Sequence, residues 1–141
     1  MKKVLVLGMD NGSRSQIIAE LMKHISFNRI EVHSAGIKPK KVDPMTVKIL
    51  KEIGINIEGA KTHSMNEYIH MHFDIIITTT KEARDKANTI LHANTKIHKE
   101  LPDPRLAEGD EFDKENAYRE LREEINEWLN EFITRHRLIS K

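Results

Sequence analysis

The residues best placed to do chemistry stand near the start of the chain, in Gly8-Met9-Asp10-Asn11-Gly12-Ser13-Arg14-Ser15. A short apolar run, Val4 to Leu7, precedes them, and apolar residues at helical spacing follow. A strand that passes through a small glycine-containing loop into a helix suits the holding of an anion. Backbone N–H groups at the helix start lack intrahelical partners, and the helix dipole favours negative charge. Arg14 adds a guanidinium for bidentate contact with a phosphate-like group, and Ser13 and Ser15 add hydroxyl donors. The pattern is not a Walker loop, and a plain strand-to-helix turn with serine caps competes with the anion reading. Asp10 is the exception within the segment. Its carboxylate adds negative charge to a loop that otherwise favours anions, and it can itself cap the helix-start amides from within.

Asp103, in Leu101-Pro102-Asp103-Pro104, is a second candidate: a general acid, or a turn residue before proline. Ser13 lacks an identifiable base nearby in sequence, and Asp10 lacks the acidic cluster of an aspartyl-phosphate enzyme. His70 and His72, with His63 nearby, put two imidazoles on one side of an extended segment, but acidic partners at diagnostic spacing are missing. No metal site and no cofactor are assigned. Asn11 and Ser34 are expected to hold the loop backbone in shape by hydrogen bonds, and His98 to support the Asp103 loop.

The 141 residues are the size of one domain, read as residues 1–141. With 23 Lys plus Arg against 22 Asp plus Glu, the formal net charge is +1, which gives no electrostatic case for nucleic acid or a membrane surface. There are no cysteines, which excludes a thiolate nucleophile, thiol redox chemistry and Cys-ligated zinc. The apolar stretch after Met1 stops at Gly8, too short for a signal sequence, so a cytoplasmic protein is expected.

The elements that must position these residues alternate. Val4–Leu7 reads as a strand buried on both faces; Ile17, Ile18, Leu21, Met22 and Ile25 mark a helix; Ile30–His33 is a second strand, closed by Ser34-Ala35-Gly36. Asp43 as N-cap and Pro44 as first helical residue open a helix faced by Val47, Leu50 and Ile53 and stopped by Gly54. Ser64 and Glu67 form a capping box, Phe73–Thr78 a third strand, and Thr79 with Glu82 a box opening a helix through Ala87. A weak strand spans Thr95–Ile97. Tyr118, Leu121, Ile125, Trp128, Leu129, Phe132 and Ile133 form one stripe on a long final helix, a packing face or a homodimer surface. The alternation predicts an α/β domain with a parallel sheet flanked by helices, and ligands in such folds bind beyond the carboxyl ends of the strands.

Val4 through Gln16 resembles the opening of the low-molecular-weight protein tyrosine phosphatase and thioredoxin-coupled arsenate reductase superfamily, a strand, then Cys-x5-Arg-Ser, then a helix. Val32 to Ile37, Asp43 to Ile55, Leu101 to Pro104 and Leu121 to Ile125 match further family stretches in order. The resemblance implies a single domain with a four-stranded parallel sheet. It implies a loop of residues 8–15 that holds an oxyanion with Arg14, and Asp103 as general acid. It also locates the departures. The nucleophilic cysteine falls on Gly8, the glycine two places later on Asp10 and the second loop cysteine on Ser13. The redox cysteines of the reductases fall near Thr80 and Ala87, and the usual Ala-Glu pair comes one place late, as Ala19-Glu20.

Three readings follow. The first is a catalytically silent homologue that keeps a loop for a phosphate-like oxyanion or a phosphorylated ligand. The second is a phosphomonoester hydrolase using Asp10, Ser13 or water, with Asp103 as acid. The third is a dimeric or partner-binding module.

Overall fold

The computed structural model describes residues 1–139. Its sheet is parallel, with strands β1 (Lys2–Gly8), β2 (Ile30–Gly36), β3 (His72–Thr78) and β4 (His92–His98) in the order β2-β1-β3-β4. The helices are α1 (Arg14–Ile25), α2 (Pro44–Lys51), α3 (Lys81–Ile90) and α4 (Glu111–Arg135), with short 3-10 turns at Met65–Tyr68 and Pro104–Leu106. This is the four-stranded α/β domain expected from the alternation.

Alternation along β1 divides the core. Val4 and Val6 face one layer with Ile17, Leu21, Ile49 and the α4 stripe, so α1, α2 and α4 cover that side. Leu5 and Leu7 face the other with Phe73, Ala83 and Ala87, covered by α3 and the Met65–Tyr68 turn. A strand covered on both faces has no polar face to show, which is why Val4–Leu7 is uninterrupted. The chain leaves β1 for β2 on one side and returns to β3 on the other, so loop 8–15 opens at the switch in strand order.

Several sequence expectations hold in detail. Asp43 caps α2 by accepting from the Met45 N–H at 3.2 Å, and Gly54 ends that segment with φ of +85°. Ser64 and Glu67 form their box, around a 3-10 turn. Others need correction. Helix α2 buries Thr46, Ile49 and Leu50 rather than Val47, Leu50 and Ile53. The helix ends at Lys51, so Ile53 lies in the following turn, 37% exposed. The cap of α3 is Thr80, whose Oγ1 accepts from the Ala83 N–H at 3.1 Å, and not Thr79, which is buried beneath the sheet end with its hydroxyl toward the Leu7 carbonyl. Strand β4 is more than twice the expected length; as an edge strand it exposes most of its side chains, and its sequence carries little hydrophobic signal. A box at the start of α4, Asp110 with Asp113, was not anticipated.

The final stripe packs on the sheet as a core face: Tyr118, Leu121, Ile125, Leu129, Phe132 and Ile133 are buried. Trp128 stands at its margin, stacked on Phe132 at 4.7 Å beneath the Lys99 ammonium. No described helix is long and apolar enough to cross a membrane.

Candidate functional site

The backbone of loop 8–15 is polarised. Its carbonyls are tied outward: Gly8 O accepts from the Ile37 N–H (3.2 Å), Met9 O from Lys38 (2.8 Å), Asp10 O from Lys40 (3.0 Å) and Gly12 O from Asp43 (2.9 Å). Its amides are not. Among the described residues, the N–H groups of Met9, Asp10, Asn11, Ser13, Arg14 and Ser15 meet no protein acceptor. Gly12 N–H alone is engaged, by Asp10 Oδ1 at 2.8 Å. With acceptors held by the 37–43 segment and donors left over, the loop forms a concavity of the kind that receives an anion.

Asn11 sets the curvature. Its φ of +60° is left-handed, a conformation asparagine tolerates better than most residues. Its side chain donates to Ser15 Oγ at 2.8 Å, and its Oδ1 accepts from the His63 N–H at 2.9 Å. Asn11 therefore has the structural role expected of it. Ser34 does not: it lies in β2 opposite Val6 and makes no side-chain hydrogen bond among the described residues. Gly36 is required by close approach, since a Cβ there would stand 2.8 Å from the Asn11 amide nitrogen.

The remaining candidates fall into two groups. Ser13 is 1% exposed and its Oγ shares a 2.7 Å hydrogen bond with Thr46 Oγ1; it is the residue before α1 but gives no side-chain cap. Ser15 Oγ lies beside Gly8 and accepts from Asn11. The charged residues form a chain. Arg14 Nη1 donates to the Leu101 carbonyl at 3.3 Å, and Nη2 stands 3.7 Å from Asp103 Oδ2. Asp103 is gripped by Arg105, through Nε (2.8 Å), Nη2 (3.0 Å) and the backbone N–H (3.0 Å). Arg105 Nη1 then reaches Asp10 Oδ2 at 2.8 Å. Two guanidiniums and two carboxylates thus alternate across the mouth of the loop.

Burial pushes the Asp103 carboxyl up, but the hydrogen bonds from Arg105 and the charges of Arg105 and Arg14 outweigh it, and the group is held below the ordinary carboxylate range. An aspartate held ionised is poorly set to donate a proton. Arg105 was not anticipated from the sequence. Its only local signal was its place directly after Asp103-Pro104; its pairing with Asp10 depends on two loops distant in the chain. Four of the histidines have side-chain partners: His63 with Glu67, His72 with Asn94, His33 with Glu31, and His98 with Thr78 and Glu100. His98 Nδ1 lies 2.8 Å from Thr78 Oγ1, which ties the end of β4 to β3 ahead of the Asp103 loop. Near the positions of the reductases' redox cysteines, Thr80 caps α3 and Ala87 is buried beneath it.

The profile of the family described as low molecular weight phosphotyrosine protein phosphatase matches residues 3–138. The chain belongs to this family. An arsenate reductase of Bacillus subtilis is 30% identical over 131 residues, 93% of this chain and 94% of the relative. A solved arsenate reductase in the phosphate-binding state superposes with a TM-score of 0.77 at 21% identity, covering 96% of this chain and 98% of that one. The Escherichia coli K30 tyrosine phosphatase Wzb, solved with sulphate, gives a TM-score of 0.70 at 17% identity over 93% and 98% of the two chains. Within the low molecular weight phosphatase family this chain is a member without a cysteine.

Proposed function

We propose that this protein is a catalytically silent member of the superfamily that binds a phosphate-like oxyanion, free or as part of a phosphorylated ligand, in loop 8–15. The carrying observation is the polarity of the loop: the carbonyls of Gly8, Met9, Asp10 and Gly12 are tied away while six amides stay unpaired beside Arg14. The Asp10 carboxylate does not cancel this field, because Arg105 neutralises it from outside. Gly8 stands where a nucleophile is needed and has no side chain to supply one. That a phosphate-bound reductase and a sulphate-bound phosphatase share this fold agrees with the reading.

The hydrolase alternative draws less support. Ser13 Oγ shares a hydrogen bond with Thr46 Oγ1, Asp10 is paired with Arg105, and Asp103 is held below the ordinary carboxylate range, which weakens it as a proton donor. Calorimetric titration with phosphate, arsenate and tungstate tests the proposal. Saturable binding is expected in the wild type and is expected to be lost in Arg14→Ala. No heat of binding at millimolar anion overturns it, as does hydrolysis of an aryl phosphate well above background that Arg14→Ala abolishes.

A further inference from the structure

The segment that fastens the loop carries more positive charge than one phosphate uses. Between Gly36 and Asp43 the chain reads Ile37-Lys38-Pro39-Lys40-Lys41-Val42. Lys38 and Lys40 give their backbone N–H groups to Met9 and Asp10, and a Cβ on Gly12 would stand 3.0 Å from the Lys41 carbonyl. Lys38 and Lys40 are therefore anchored by their own backbone against the loop, the Lys41 carbonyl lies beside Gly12, and Pro39 fixes φ between the first two. All three are exposed. The ion-paired lysines among the described residues are Lys3, Lys23, Lys48 and Lys51, so the ammonium groups of Lys38, Lys40 and Lys41 are uncommitted.

The carboxylates near them are taken. Asp10 and Asp103 are matched by Arg105 and Arg14, and Asp43 accepts from the Tyr118 hydroxyl and the Met45 N–H. Three cations in four residues thus belong to the strap that fastens a loop whose amides and arginine already suffice for one phosphoryl group. Building on the oxyanion reading of loop 8–15, we infer that its ligand is a di- or oligophosphate: one phosphoryl group sits in the loop, and the next lies against Lys38, Lys40 and Lys41, which determine specificity. The anchoring favours a phosphoanhydride chain over a phosphopeptide. Its charges follow one another through a single bridging oxygen, whereas successive peptide residues are about 3.8 Å apart at Cα before their side chains diverge.

Calorimetric titrations with inorganic phosphate and inorganic diphosphate test this on four proteins. These are the wild type, the triple variant Lys38→Gln/Lys40→Gln/Lys41→Gln, a control Lys2→Gln/Lys86→Gln, and Arg14→Ala. Glutamine keeps every backbone bond of the strap. The wild type is expected to bind diphosphate about tenfold or more tighter than phosphate, and the triple variant to lose about that preference while its phosphate affinity stays within about threefold. The control keeps the preference, and Arg14→Ala loses both anions. Phosphate binding without a diphosphate preference, or a triple variant that keeps the preference, overturns this inference and leaves the oxyanion reading standing. Diphosphate binding that survives Arg14→Ala overturns the inference too, because the strap then acts without the loop. Binding of neither anion to the wild type overturns both.

Discussion

At position 8 the Cβ that glycine lacks would lie 3.2 Å from both Ser15 Oγ and Thr79 Oγ1. Ser15 Cβ would stand 3.3 Å away as well, so a small side chain fits if these neighbours shift by a few tenths of an ångström. A thiol placed there stands at the start of the loop whose amides are unpaired. Gly8→Cys is therefore expected to titrate below the ordinary thiol value of about 8.5. The pH dependence of its alkylation rate is the measurement. A thiol that titrates at or above the ordinary value would show that the loop's field does not converge on position 8. The same substitution leaves the Asp103 carboxyl held below the ordinary carboxylate range by Arg105 and Arg14. The glycine at position 8 and the grip of Arg105 on Asp103 are separate residue-scale features of this chain, and both support the reading of a silent homologue.

Among the elements, α3 shows how a cap fixes the geometry around the site. The helix has ten residues and buries only Ala83 and Ala87, so its packing is thin and its start matters. Thr80 Oγ1 accepts the Ala83 N–H, and the neighbouring Thr79 is left to meet the Leu7 carbonyl at the end of β1. Thr80→Ala is expected to cost about 1 kcal/mol, read from the urea midpoint at constant m-value. An unchanged midpoint would mean that the cap is replaced by solvent. The strap of residues 37–43 is the other decisive segment. It has no regular structure, yet its backbone N–H groups consume the loop's carbonyls, and that is what leaves the loop's own donors free.

For the whole molecule, α4 is fastened to α2 across the outer layer by charge. Arg119 and Arg122 both bind Glu52, and Arg122 also donates to the Ile49 carbonyl at 2.7 Å. Hydrogen bonds from Arg119 first, then from Arg122, hold the Glu52 carboxyl down to about 2, against burial. Because the folded value lies below the ordinary 4.5, this contribution is present above pH 4.5 and is lost as pH falls from there toward about 2. Glu52→Gln should remove that part of the acid sensitivity. The difference in Tm between wild type and variant is expected to shrink across this window, and less so at high salt because the pair is partly exposed. A difference that stays constant with pH would assign the role of Glu52 to packing instead.

Much of this was legible in the chain. Buried strands announced themselves as unbroken apolar runs, Asp43-Pro44 as a helix start, and the segment 8–15 as a strand-to-helix loop, because these are properties of neighbours in sequence and of backbone periodicity. Composition alone removed the thiolate. Other features required the fold. The edge strand β4 has no inward face strong enough to mark it, and the buried side of the short helix α2 depends on where α4 lies rather than on its own spacing. Asp10 looked like a charge inside an anion loop, yet it is one end of a chain through Arg105 to Asp103 and Arg14. Those four residues belong to the segments after β1 and after β4, which meet only when β3 pairs with both strands. Charge is a property of each residue, but neutralisation is a property of the distances that the tertiary structure sets.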